Sequence, residues 1–331
     1  MKVQEIHLVS RPQGTPTADN FSLVERELAP IQDGEVLIKN LWMSVDPYMR
    51  GRMIDQASYI TPFKLDEVME GGAIGEVIES KNPALPVGTK VSHIHGWRSH
   101  VISDGSDLTP IPSTSLPLQS FLGIMGMPGM TAWTGLFRIA ELKPGETVFV
   151  SAASGAVGSV VCQMAKLQGC TVIGSAGSDE KAESLKALGV DAVINYKTAG
   201  DLTKALAEAA PQGIDVYFEN VGGEHLVAAL NNMNEFGRIA VCGMIADYNA
   251  TEAQPGPSNI GLLIVKKLKM QGFIVMDHWQ HYGDFAAQMG QWIAEDKIKW
   301  DETIYEGLAQ APEAFIGLFE GKNKGKMLVK L

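Results

Sequence analysis

The chain of 331 residues is long enough for two domains of ordinary size, and its 45% hydrophobic and 20% charged residues suit a protein that buries a sizeable core, which excludes disordered, collagen-like and coiled-coil classes. Acidic residues outnumber basic ones 38 to 27, for a net charge of −11, so no overall field holds polyanions and nucleic acid is not an expected partner. The three cysteines, Cys162, Cys170 and Cys242, form no CxxC pair; they provide neither a disulfide framework nor a cysteine-rich zinc site and fit a reducing cytoplasm.

In chain order, residues 1–14 carry Glu5 and Arg11 and lack a long apolar run followed by small residues, so no signal peptide is expected. From Met1 to about Ser120, short apolar-rich runs at Glu35–Lys39, Ala73–Ile78 and Lys90–Ile94 are separated by punctuation such as Asp33-Gly34 and Pro86-Val-Gly88, which predicts a small β-rich, partly barrel-like domain. His93 and His95 have the spacing of two imidazoles on one strand face. No Cys, Asp or Glu cluster stands near them in sequence, so a pocket wall or surface is preferred to a metal. Residues 108–137 hold no charge, yet Pro110, Pro112, Pro117 and Pro128 disfavour a spanning helix and predict a buried loop and a helix start.

From about Gly123 to Glu295 strands alternate with helices of roughly 10–15 residues, the signature of a doubly wound parallel α/β sheet. Its predicted strands are Thr147–Ser151, Thr171–Ser175, Ala192–Asn195, Val216–Glu219, Arg238–Cys242 and Gln271–Val275. Helical spacing covers Ala156–Leu167, Asp179–Leu188, Leu202–Ala209 and Glu224–Met233, and Ser178 is the expected N-cap of the second helix, with Asp179 and Glu180 in its first turn. The tail from Trp300 returns to short runs such as Lys326–Lys330 and is expected to rejoin the first domain as strands. The expected boundaries are 1–122 with 299–331 for the β-rich domain and 123–298 for the other.

The stretch Phe149-Val-Ser-Ala-Ala-Ser-Gly-Ala-Val-Gly158 places Gly155 and Gly158 between a strand and a helix, where a bare backbone lets a pyrophosphate approach a helix N-terminus. Ala153 stands where the usual GxGxxG has its first glycine. NAD-preferring versions of this turn carry an acid at the end of the second strand; here Gly174-Ser-Ala-Gly-Ser178 has none. An adenosine 2′-phosphate meets no repulsion there, and Lys181 is within reach, so NADP is favoured over NAD. A GxSxG elbow is absent, which leaves serine hydrolase chemistry without support.

Several longer motifs stand in order along nearly the whole chain: Asp46-Pro-Tyr-Met-Arg50, Gly126-Met-Pro-Gly-Met-Thr-Ala132, Ala152-Ala-Ser-Gly-Ala-Val-Gly158, Gly177-Ser-Asp-Glu-Lys181, Asn195-Tyr-Lys197, Glu219-Asn-Val-Gly-Gly223 and Cys242-Gly243. On these the chain resembles zinc-independent medium-chain dehydrogenases/reductases, in the group of leukotriene B4 12-hydroxydehydrogenase/prostaglandin reductases, curcumin reductases and alkenal double-bond reductases. The resemblance implies a GroES-like catalytic domain completed by the tail, an inserted Rossmann domain, a homodimer, and NADPH-dependent reduction of the C=C bond of α,β-unsaturated aldehydes or ketones. Zinc-bearing relatives place Gly-His-Glu where this chain has Glu70-Gly71-Gly72, and a cysteine near Val45, so no metal is expected.

The resemblance also implies roles for single residues. Gly155, Ala156, Val157 and Gly158 hold the pyrophosphate, and Ser178, Lys181 and Tyr196 form the 2′-phosphate pocket. Asn220, Cys242, Gly243, Met244, Tyr248, Phe273, Ile274, Val275 and Asn323 line the rest of NADPH, and Tyr48 faces the substrate. Related reductases often carry a tyrosine at the place of Val265, so Tyr48 or Tyr248 is the expected polarising hydroxyl. An NADPH:quinone oxidoreductase and a non-catalytic NADPH-binding protein are the alternative readings.

Overall fold

The Val36–Ser44 strand is the hub of the first sheet, because its backbone pairs with neighbouring strands on both edges. One edge pairs antiparallel with Ala73–Ser80; the other is shared by His100–Ser103 and, near its end, by Lys326–Lys330 of the tail. A separate three-stranded sheet joins Lys2–Leu8 to Phe21–Glu27 and Glu67–Val68. The computed structural model describes residues 1–331 as two units, Met1–Leu122 with Glu302–Asn323 and Met327–Leu331, and Gly123–Asp301 with Lys324–Lys326.

The tail is not only strands. Ala311–Phe319 is a helix, with Pro312 in its first turn, and its apolar positions 311, 314, 315 and 318 fall at helical spacing. Phe315 sits edge-on to Trp97 at 6.1 Å and Trp97 stacks on Phe21 at 6.0 Å, which fills the core of the first unit. Each such aromatic, fully withdrawn from water, contributes roughly 1.5–3 kcal/mol. The expected burial of residues 108–137 holds only in part, because 112–115 are exposed and burial begins with the turn at Leu118–Leu122 and the helix at Met127–Trp133.

The second unit is a six-stranded parallel sheet in the order Ala192–Asn195, Thr171–Ala176, Thr147–Val150, Ile214–Glu219, Met233–Val241, Lys269–Gly272. Numbered along the chain this is 3-2-1-4-5-6, the doubly wound Rossmann order, whose crevice for ligands opens where the order reverses, between the first and fourth strands. Two expected boundaries move. The fifth strand starts at Met233, because the helix before it ends at Asn232 and Met233 already pairs with Ile214. The sixth strand is Lys269–Gly272, in register with Arg238–Val241, so Phe273 and Ile274 follow the strand and Val275 opens a short helical turn.

Candidate active site

In the second unit the glycine turn runs from Ser151 to the helix Gly158–Leu167, whose N-cap, Val157, has no side-chain group to cap it. A Cβ at Gly158 would collide with the Ala152 carbonyl oxygen and come within 2.8 Å of the Ala153 Cα, so the helix can begin this close to the turn only with glycine there. Ala153, which replaces the first glycine of the usual fingerprint, is completely buried. Its methyl is accommodated by Gly174 on the neighbouring strand, where an added Cβ would lie 2.9 Å from it. The missing glycine is thus compensated one strand away, and the close approach of turn and helix is kept.

Ser178 caps the next helix, Asp179–Ala187, by accepting a hydrogen bond from the Lys181 amide at 3.3 Å. The strand before it ends at Ala176, and the first acid beyond, Asp179, accepts from the Asn195 side chain at 2.7 Å. Tyr196 packs edge-on against buried His225 at 5.0 Å, and its hydroxyl lies where a side chain at Gly177 would be, 2.9 Å from the Cβ position. Burial, and after it the charge of Lys197, pulls the Lys181 ammonium below its usual range. Gly177, Lys181, Tyr196 and Lys197 therefore share one corner, which carries two lysine charges, with Asp179 engaged by Asn195 and Glu180 acting on Lys181 from the same helix turn. Lys197 was missed by the sequence reading; its signal was the Asn195-Tyr-Lys197 motif.

The Asn220 side chain donates to the Ser151 carbonyl at 2.7 Å, and the Asn220 carbonyl accepts from Ile245 at 3.2 Å, which brings the 219–223 turn beside 242–248. In that second segment the Tyr248 hydroxyl rests against Gly243, 3.0 Å from the place of a Cβ. Phe273 sits edge-on to Phe218 at 6.4 Å, ahead of buried Val275. Asn323, by contrast, is part of the first unit.

Tyr48 also stands in the first unit, at the N-cap of the short helix Met49–Arg52. Burial, followed by the nearby Asp46 carboxylate, raises its pKa well above the ordinary phenol value, so the hydroxyl stays a proton-bearing donor at neutral pH. Ser44 hydrogen-bonds Asp46 beside it. Arg50 and Arg52, residues that could have met a substrate carboxylate, are buried and occupied. Arg50 donates to the Gly14 carbonyl at 3.0 Å, and Arg52 to the Thr61 carbonyl and the Glu70 carboxylate, each at 2.8 Å, with Phe63 under its guanidinium.

At the positions where zinc-bearing relatives place ligands, Val45 is completely buried, and a Cβ at Gly71 would strike Met49 and lie 3.3 Å from the Trp97 indole nitrogen. No group of three or more His, Cys, Asp or Glu side chains is arranged to hold a metal. The His93 and His95 rings lie 5.7 Å apart, but His95 is engaged with Asp107, and His93 accepts from the His95 amide at 3.1 Å. Burial, then the neighbouring His95, pushes the His93 pKa down to about 3, so it is neutral.

Residues 4–111 match the family described as the N-terminal domain of oxidoreductase, and residues 156–295 the family described as zinc-binding dehydrogenase. The NADPH-dependent curcumin reductase of Escherichia coli is 43% identical over 330 residues, covering 98% of this chain and 95% of that protein. Prostaglandin reductase 1 of Mus musculus is 47% identical over 325 residues, covering 96% of each. Among solved structures, CurA from Vibrio vulnificus in complex with NADPH superposes with a TM-score of 0.94 at 45% identity, covering 99% of this chain and 98% of that one. With such likeness along both units, and with the Rossmann order and glycine cradle already described, the chain belongs to the medium-chain dehydrogenase/reductase superfamily, in the group of the prostaglandin and curcumin reductases.

Proposed function

We propose that the chain is an NADPH-dependent reductase of the C=C bond in α,β-unsaturated aldehydes and ketones. The observation that carries this reading is the corner of Lys181, Tyr196 and Lys197 beside the glycine turn of residues 155–158, in a chain similar over nearly its whole length to the NADPH-dependent curcumin reductase of Escherichia coli and to CurA in complex with NADPH. Bound in that cradle, NADPH supplies a hydride. The residues Gly155 to Gly158 hold its pyrophosphate and Lys181, Tyr196 and Lys197 its 2′-phosphate, while Asn220 and the 242–248 segment fix the turns alongside. Tyr48, held neutral by burial, donates a hydrogen bond to the substrate carbonyl oxygen as negative charge gathers there.

The test is an NADPH-oxidation assay with an enone and, in parallel, a quinone, using NADPH deuterated at its transferable hydride. A saturated carbonyl product carrying deuterium on its β-carbon is the expected outcome. An allylic alcohol, label on the carbonyl carbon, or turnover with the quinone alone would refute the assignment.

The reaction is proposed to need no metal, since glycines stand at 71 and 72 and Val45 is a core residue. Prolonged treatment with a strong chelator is expected to leave the enone rate unchanged. Loss of activity that zinc restores would overturn this and return attention to His93 and His95.

The working form is proposed to be a homodimer in the cytoplasm. Three free cysteines suit a reducing compartment, and no helix is long and apolar enough to cross a membrane. The edge strand Lys269–Gly272 is exposed throughout and bordered by exposed Ile264, Val265 and Met276, a combination suited to pairing with the same edge of a second copy. Sedimentation equilibrium at micromolar protein is expected to give twice the chain mass, and a stable monomer would remove this part of the reading.

A further inference from the structure

We propose that Glu219 is a positioning residue for the dinucleotide, a single buried acid that sets the three turns of its cradle in register. Glu219 ends the fourth strand, at the point where the strand order reverses, and is completely inaccessible to solvent. A carboxyl group is costly to bury unless donors meet it. Here three converge on one oxygen, Oε1, which accepts from the Ser151 hydroxyl at 3.1 Å, the Val221 amide at 2.7 Å and the Gly222 amide at 2.9 Å, and the Tyr217 hydroxyl is a further neighbour of the carboxyl.

Those partners belong to the turns that form the cofactor cradle. Ser151 opens the glycine turn, and its Oγ in turn accepts from the Asn220 amide at 2.9 Å. Val221 and Gly222 begin the second turn, which continues through positive φ angles at Gly222 and Gly223. Glu219 meets this pair of amides from inside the protein. The third turn is held by the same residue's main chain, since the Glu219 carbonyl accepts from Cys242 at 2.9 Å and Gly243 at 3.1 Å. Burial raises the Glu219 pKa, while the Gly222 and Val221 amides and the Tyr217 and Ser151 hydroxyls act in the opposite direction.

This inference rests on the proposed use of a nicotinamide dinucleotide, so its test begins with NADPH binding to the wild-type chain, followed by fluorescence without substrate. No binding would sink the functional reading itself. Given binding, Glu219→Ala is expected to raise the Kd for NADPH and for NADH by the same factor, about tenfold or more, because three hydrogen bonds to the cradle turns are lost at once. Glu219→Gln keeps an oxygen at the Oε1 position and is expected to recover affinity to within about threefold of wild type.

A lowered Tm with unchanged Kd in Glu219→Ala would reduce Glu219 to a structural residue and overturn the proposal, as would a Glu219→Gln variant as weak as the alanine. Should Glu219→Ala fail to fold, Ser151→Ala removes a smaller part of the network, the hydroxyl that donates to Glu219 and accepts from the Asn220 amide. It is expected to weaken both cofactors by about threefold, and an unaltered Kd would overturn the proposal.

Discussion

Replacing Tyr48 by phenylalanine is expected to lower kcat for enones on the order of ten- to hundredfold while leaving NADPH affinity within about twofold. The expectation follows from where the hydroxyl stands and from its protonation. Tyr48 is in the first unit, at the N-cap of the short helix Met49–Arg52 and beside Asp46. Burial and the Asp46 charge raise its pKa, so the phenol keeps its proton through the neutral range and can donate to an oxygen that is gaining negative charge. Hydride addition to the β-carbon of an enone places that charge on the former carbonyl oxygen, where a hydroxyl donor suffices without a Lewis acid, and a proton from solvent then adds to the α-carbon to give the saturated carbonyl. Since the proton stays on the phenol, kcat should show no decline from tyrosine ionisation between about pH 7 and 9.

Tyr248→Phe provides the contrast. Its hydroxyl lies against Gly243 beside Asn220 in the second unit, so the change is expected to alter NADPH affinity more than kcat. Steady-state kinetics and cofactor titrations on the two variants check both statements. An unaffected kcat in Tyr48→Phe, together with a large loss in Tyr248→Phe, would transfer the polarising role to Tyr248.

Lys181→Ala is expected to weaken NADPH by on the order of 1.5–3 kcal/mol, roughly ten- to hundredfold, and to change NADH affinity little. The two cofactors differ only in the 2′-phosphate, and the corner that would receive it contains Lys181, Tyr196 and Lys197 with no acid at the end of the second strand. The half-buried Lys181 ammonium already feels the charge of Lys197, and a bound phosphate dianion would relieve that repulsion. Because Lys197 remains in the variant, Lys181→Ala should retain a residual preference for NADPH, which the double variant with Lys197→Ala should erase. Equal weakening of both cofactors by Lys181→Ala, or a wild-type preference for NADH, would rule out this account of the corner.

Much of this protein was legible in the residues alone because the forces concerned act over a few positions. The shift from short strand runs to alternating strands and helices separated the β-rich part from the Rossmann part, and hydrophobic periodicity needs only a turn or two to declare itself. Ser178 could be read as an N-cap because capping is settled within three residues, as its bond to the Lys181 amide shows. The cofactor type was legible in an absence, the lack of an acid after Thr171–Ala176, since repulsion of a 2′-phosphate depends on that one place.

Pairing, burial and hydrogen-bond partners drawn from distant segments had to wait for the tertiary structure. Only the register with Arg238–Val241 put the sixth strand at Lys269–Gly272 and left Phe273 beyond it. Only the adjacency of two strands showed that Gly174 makes room for the Ala153 methyl and so preserves an imperfect glycine fingerprint. That Arg50 and Arg52 hold loops was decided by partners brought to them by folding, the Gly14 carbonyl for Arg50 and the Thr61 carbonyl and Glu70 carboxylate for Arg52. Glu219 carries no local sign of its place among Ser151, Val221 and Gly222, because a buried acid is defined by donors that folding brings to it.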